Sequence, residues 1–271
     1  FFFLLLATLL IVVPVGLVVV VIVQKGLPAI NWQFLSDIPR QGMRAGGIFP
    51  AIVGTFYLVS GAIIFALPIG LLAAVYLTEY AKDNLLTRLI KLAIVNLAGV
   101  PSVVYGLFGL ALFVVFFKFG ASILSGSLTL GIMILPVIIT TSVEALESVP
   151  ASFREVSLSL GVSKWQTIRH IVLPNAIPGI LTGTILGLGR AAGETAPILF
   201  TVAAFYLPQL PGSIFDQAMA LPYHLYVIST QVPNVDEKIR YGTAFVLLAL
   251  VLFMNLVAIV IRSKFRKKKK W

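Results

Sequence analysis

Six stretches of this chain are apolar for long enough to cross a bilayer, and no other property limits its fold so severely. A hydrocarbon core about 30 Å thick takes about 20 residues of helix. Within lipid, only helices and closed barrels satisfy every backbone N–H and C=O. The runs lie near residues 1–23, 48–78, 92–117, 127–143, 174–206 and 242–261. Only 11% of the residues are charged and 59% are hydrophobic, whereas soluble domains carry about 25% charged residues. The expectation is an all-α membrane protein, a single transmembrane domain over residues 1–271 with six transmembrane helices. The chain begins Phe1-Phe2-Phe3, and the first run reads as a retained span rather than a cleaved signal.

The third run has an amphipathic lead-in from Leu85 that carries Arg88 and Lys91, with Asn96 further along. Pro101 is expected to kink this helix where the fully apolar part begins.

Orientation follows from the cations. With the N-terminus inside, the cytoplasmic segments hold Lys82, Arg88 and Lys91, then Arg154, Lys164 and Arg169, then Arg262, Lys264, Arg266 and Lys267 through Lys270. The opposite side holds Lys25, Arg40, Arg44, Lys118, Lys238 and Arg240. The positive-inside bias therefore predicts that both termini and the long central loop are cytoplasmic. The net charge of +10 calls for no nucleic acid. Much of it sits in the tail after the last span, where a basic run is drawn to anionic membrane lipid. The chain has no cysteine, which excludes disulfides, thiolate metal sites and thiol catalysis. His170 and His224 stand apart from each other and from any carboxylate cluster, so no metal or catalytic constellation is expected.

Between the fourth and fifth runs, the loop 144–173 carries signals for two short helices. Ser152-Phe-Arg-Glu155 fits a capping box, Gly161 is placed to end that helix in a left-handed turn, and Ser163-Lys-Trp-Gln166 fits a second box. Phe153, Val156 and Leu160 fall on one face, predicting an apolar ridge beside charged residues. The spacing from Glu155-Val156-Ser157 through Gly161 to Ile171-x-Leu173-Pro174 resembles the EAA motif of ABC importer permeases. Val156 and Ser157 stand where that motif has alanines. The resemblance implies that helix 153–160 is a coupling helix seated in a groove of a separate ATPase subunit. Glu155, Val156, Ser157, Leu160, Gly161 and Ser163 would then be the coupling residues. The purely local alternative is that Glu155 and Gly161 only cap and terminate a helix. The chain has no G-x-x-x-x-G-K-[ST] phosphate loop. It is therefore expected to bind no cofactor, with ATP and Mg²⁺ on the partner.

Arg190 and Glu194 are the only charges placed within the fifth run, and charge inside a membrane costs about 2.5–3.5 kcal/mol on insertion scales. Four residues apart on a helix, they share a face. In one reading they are an ion pair that locks the helix to its neighbours. In the other they form an anion site, with the guanidinium forked toward a tetrahedral oxyanion and Glu194 orienting it or accepting from a protonated phosphate oxygen. Thr195 beside them, and Ser102 and Tyr105 in the third run, complete the candidate substrate-binding set, although the latter two fit a packing role equally well. Gly179, Gly183, Gly187, Gly189 and Gly193 allow close helix approach, either for packing or for a sliding interface between two permeases. Pro178 and Pro197 are placed to kink the fifth helix.

RAAGETAPILFT, GVPSVVYGLFG (99–109) and GVSKWQTIRHIVLPNAIPGILTG (161–183) resemble the PstA permeases of bacterial phosphate ABC importers. That resemblance implies a MetI-like fold in the inner membrane, a heterodimer with a PstC-type permease, a PstB-type ATPase dimer and a periplasmic phosphate-binding protein. It associates Arg190 and Glu194 with phosphate translocation, the ATP being hydrolysed by the partner. Tyr223, His224 and Tyr226 in segment 207–240 could receive the binding protein or simply mark a membrane interface. Import of another oxyanion such as sulfate or molybdate, and a channel or secondary transporter working alone, stand as alternatives. A membrane enzyme is disfavoured because no paired carboxylates or metal ligands converge.

Overall fold

The computed structural model describes residues 2–267; Phe1, Trp271 and the end of the basic tail, Lys268–Lys270, lie outside the described residues. In chain order, α1 spans Phe2–Gly26, α2 Trp32–Ser36, α3 Phe49–Val75, α4 Leu85–Ala98, α5 Ser102–Gly109 and α6 Ile123–Glu147. There follow α7 Ala151–Ser159, α8 Lys164–Thr167, α9 Leu173–Gly193, α10 Ala196–Thr201, α11 Leu221–Thr230 and α12 Glu237–Lys267. A small hairpin pairs β1 (Pro39–Arg40) with β2 (Ala45–Gly46).

The bundle is built around α6, whose apolar window is 67% buried against 6% for those of α1 and α12. Small residues decide which helices flank it. On one side Gly61 and Gly70 of α3 leave room for Ser127 and Ile138. On the other, Gly179, Gly183 and Gly187 of α9 lie against Ala145, Thr141 and Ile138. Gly179, Gly183 and Gly187 thus serve packing within the chain, as close backbone approach is how helices associate in lipid, whereas Gly193 meets nothing within 4 Å. Helices α1 and α12 form an outer pair, with Gly26 against Tyr241 and Phe245.

Among the described residues, five apolar helices are long enough to cross a membrane, and a bent pair, counted as one span, makes six. Two of the six depart from expectation. The third is broken rather than kinked: α4 and α5 diverge by 102° across Gly99-Val100-Pro101. Pro101 has no N–H to give a helix and drives Val100 out of the helical region, so α4 stops and α5 begins afresh, continuing through a π turn, Leu110–Phe116.

The fifth span starts earlier and ends sooner than its apolar run. Helix α8 is no separate element but the first turn of a continuous 30-residue helix, Lys164–Gly193, joined to α9 by a π turn, Ile168–Val172. Pro178 lies inside α9 without breaking it. Pro197 does break the span. It cannot donate to the Gly193 carbonyl four residues back, so Glu194 turns extended, with ψ 136°, and α10 restarts at Ala196. Arg190 and Glu194 therefore do not share one helix.

Candidate functional site

The break at Glu194-Thr195 lies between the levels of the middle and the start of α6. Gly187 of α9 is level with Ile134 and Ile138 of α6, while the Ser122 amide at the start of α6 donates to the carbonyl of Thr201 at 3.0 Å. The chain between Gly187 and Thr201 thus runs from the level of the middle of the most buried helix to that of its start. The break in the third span meets it there. Beside the start of α10, Gly106 of α5 packs so closely that a Cβ would stand 3.1 Å from the Ala196 carbonyl oxygen and 2.7 Å from Phe200. Two interrupted helices therefore face one another on a flank of the bundle, where Gly99, Pro101 and Gly193 are exposed.

Arg190 reaches into this junction. Its Nε lies 3.5 Å from Glu194 Oε1, and Nη1 donates to the carbonyl of Ala98, also at 3.5 Å. Ala98 is the last residue of α4, where unpaired carbonyls carry partial negative charge. The neighbouring carbonyl, of Leu97, accepts from the Tyr105 hydroxyl at 2.8 Å. Both predicted side chains are thus held by the frayed end of α4, a partner that sequence spacing did not point to. Ser102 opens α5 and Thr195 caps α10, both half-buried. Neither hydroxyl has a hydrogen-bond partner among the described residues, and Thr195 makes no capping bond. The junction brings together all five predicted residues: a guanidinium on long, loosely held contacts, a carboxylate, a phenol and two free hydroxyls. Such a set can accept an anion by exchange, replacing Arg190's weak contacts with charge-assisted bonds.

The second predicted region lies at the end of the bundle. Helix α7 closes in a Schellman motif: Gly161 adopts φ +76°, its amide donates to Leu158 O at 3.0 Å, and the Val162 amide to Ser157 O at 3.3 Å. Ser163 and Gln166 form the expected capping box. The first box does not form. Helix α7 begins at Ala151 with Pro150 as its cap, which puts Ser152 inside the first turn, two positions too late to cap. The expected ridge is also divided. Phe153 packs against the core beneath, whereas Val156 and Leu160 are 60% and 77% exposed. Glu155 is exposed and unpaired among the described residues. Ser157 is buried, its hydroxyl 2.8 Å from that of Thr167, so a small residue is needed there for α7 to lie against α8.

One participant escaped the sequence reading. Arg154 points inward from α7 to Glu79 at the end of α3, which carries on from Val75 through a π turn, Tyr76–Tyr80. Its Nη2 and Nε donate to the Glu79 carboxylate at 2.7 and 3.1 Å. The only available signal was an acidic residue closing a long apolar run. In segment 207–240, Tyr223 and His224 are buried and only Tyr226 is exposed, so the first two offer no surface to a docking protein.

Residues 66–271 match the model of a family described as binding-protein-dependent transport system inner membrane component. Among similar proteins, a probable ABC transporter permease protein, YqgI of Bacillus subtilis, is 35% identical over 94% of this chain and 90% of its own length. Phosphate transport system permease protein PstA 1 of Mycobacterium tuberculosis is 38% identical over 80% of this chain and 71% of its own. PstA of Xylella fastidiosa is 33% identical over 90% and 85%. A solved structure of the MetNI methionine ABC transporter in an inward-facing conformation superposes with a TM-score of 0.63 at 16% identity. It covers 80% of this chain and 97% of the solved one, a likeness of fold.

Proposed function

The chain belongs to the family of binding-protein-dependent transport system inner membrane components, and from that membership we propose that it is a permease subunit of an ATP-driven phosphate importer. In this reading it forms half of the translocation pathway beside a second, PstC-type permease. A periplasmic binding protein delivers phosphate, and a PstB-type ATPase dimer, holding ATP and Mg²⁺, docks the loop that contains α7. Both termini and that loop face the cytoplasm, in keeping with the positive-inside bias.

The observation that carries the proposal is Arg190 at a helix break, close to the level of the middle of α6, on contacts long enough to exchange. Transporters place substrate sites at the midplane, where discontinuous helices turn their N-terminal ends toward anions; the start of α5 supplies such an end. Arriving phosphate would replace Ala98 O on the guanidinium and take donors from Ser102 and Thr195. Glu194 would accept from the oxygen that phosphate keeps protonated near neutral pH, a bond sulfate cannot donate. Because the α4 carbonyls compete for Arg190, binding is expected to be weak enough for release.

Reconstitution with both permeases, the ATPase and the binding protein in proteoliposomes tests the proposal. The expected result is ATP-dependent phosphate uptake that excess sulfate or molybdate does not suppress. Uptake of either in preference to phosphate would give the site to another oxyanion. Phosphate flux without the ATPase would make this a stand-alone transporter.

A further inference from the structure

The docking helix α7 must deliver force to the bundle, yet the backbone ties it only loosely. Toward α6 it is joined by Ser148-Val149-Pro150, and toward α8 by the turn Leu160–Ser163. A push on its exposed face could be lost as rotation about these two short linkers. Besides Phe153 in the core and the Ser157–Thr167 hydrogen bond, one charged side chain opposes that rotation. Besides its two bonds to Glu79, the Arg154 guanidinium donates through Nη1 to Val149 O at 2.8 Å and through Nη2 to Leu146 O at 2.9 Å. A single residue of α7 thereby grips the ends of both α3 and α6.

Among the ion pairs of the described residues, this is the most buried. The Glu79 side chain is 7% exposed and that of Arg154 23%, whereas the Lys91–Glu147 partners are 42% and 55% exposed. A screened surface pair adds little. A buried, forked, charge-assisted one fixes geometry and penalises separation of its partners. A second tether runs parallel, Lys164 Nζ lying 5.0 Å from the ring centre of Tyr80. Two consecutive residues at the end of α3, Glu79 and Tyr80, thus hold the two arms of the loop. The π turn that carries them is a local departure from α geometry of a kind frequent at functional sites.

We infer that Glu79 and Arg154 are positioning residues that couple the ATPase to transport, locking α7 to α3 and α6 so that ATPase movement drives the bundle rather than swivelling α7. From the same body, the 30-residue helix Lys164–Gly193 runs about 45 Å at 1.5 Å per residue and ends beside Arg190. The inference rests on the reading that α7 docks the ATPase.

The test uses the assembled complex. Glu79→Gln keeps the shape and removes the charge. It is expected to leave assembly and ATP hydrolysis near wild type while phosphate transported per ATP falls about fivefold or more, with Arg154→Lys intermediate. An unchanged ratio in both variants overturns the proposal. So does failure of both to assemble, or a proportionate fall in hydrolysis and uptake, since either makes the pair a structural staple only. The underlying reading is checked separately. The chain has no native cysteine, so Val156→Cys can be cross-linked to single-cysteine ATPase variants. Absence of any cross-link would sink the docking assignment whatever Glu79→Gln does.

Discussion

The hydroxyl of Tyr105 spans a helix break, donating to the carbonyl of Leu97 at 2.8 Å and so binding the first turn of α5 to the last turn of α4, whose axes diverge by 102°. Tyr105 is 6% exposed, and removing its hydroxyl leaves the Leu97 carbonyl with the Val100 amide, 3.1 Å away, so that one hydrogen bond is lost and no carbonyl is stranded. Tyr105→Phe is expected to lower the stability of the purified permease by about 0.5–1.5 kcal/mol. Because Ala98 O, next in the chain, holds Arg190, the same change should alter phosphate uptake more than the stability loss explains. Thermal unfolding in detergent and uptake in proteoliposomes, measured on one preparation, check both.

Gly106 sets how closely α5 approaches α10. An added Cβ would meet backbone, the Ala196 carbonyl oxygen and Pro197 Cα, each at 3.1 Å, and backbone cannot rotate away. Overpacking of this kind costs about 1–3 kcal/mol. Gly106→Ala should therefore destabilise the chain and depress uptake together. Gly193→Ala is the control. Nothing lies within 4 Å of its Cβ position, and its stability should be unchanged or slightly raised.

What the sequence disclosed was what is local or rare. Gly161 and Ser163 were legible because a Schellman turn and a capping box are written in a few adjacent residues. Arg190 and Glu194 were legible because charge inside an apolar run is costly. The breaks at Pro101 and Pro197 were half-legible. Proline marked each place, but apolar residues continue on both sides, so composition could not tell a kink from a full stop. The Ser152–Glu155 pattern misled because Pro150 just ahead starts the helix earlier. Glu79 was invisible because its partner lies 75 residues away and only the fold brings them together.

Substitution at Arg190 and Glu194 should separate charge from geometry. Arg190→Lys keeps the positive charge but loses the fork that pairs with an oxyanion, so uptake is expected to fall at least about tenfold. Glu194→Gln can both donate and accept. It should therefore relax discrimination, and sulfate, expected to compete poorly in the wild type, should inhibit phosphate uptake in this variant. Equal insensitivity to sulfate in both proteins would remove Glu194 from selectivity.

His224 on α11 predicts how stability varies with pH. Burial holds its pKa down to about 4, and its Nδ1 has no partner among the described residues. The unfolded chain, with an ordinary histidine pKa of about 6.5, binds the extra proton first as pH falls. Stability is therefore complete above about pH 6.5, declines through the window toward pH 4, and is flat below it, with a loss of about 2 kcal/mol at pH 5. His224→Leu should flatten this slope in a thermal melt series from pH 7.5 to 5. An undiminished slope would assign it to other groups.

Gly161 offers the sharpest separation of backbone strain from contact. No atom lies within 4 Å of its Cβ position, so a methyl group there clashes with nothing. Its φ of +76° is nevertheless a left-handed conformation that costs ordinary residues about 1–2 kcal/mol. Gly161→Ala should leave the bundle folded yet shift α7 toward conformations without the Schellman turn, changing the angle at which Glu155, Val156 and Leu160 are presented. Asparagine visits the left-handed region more readily. ATPase activity stimulated by the assembled permeases should therefore rank glycine above asparagine above alanine. Equal stimulation by all three would mean that the turn serves only to end the helix.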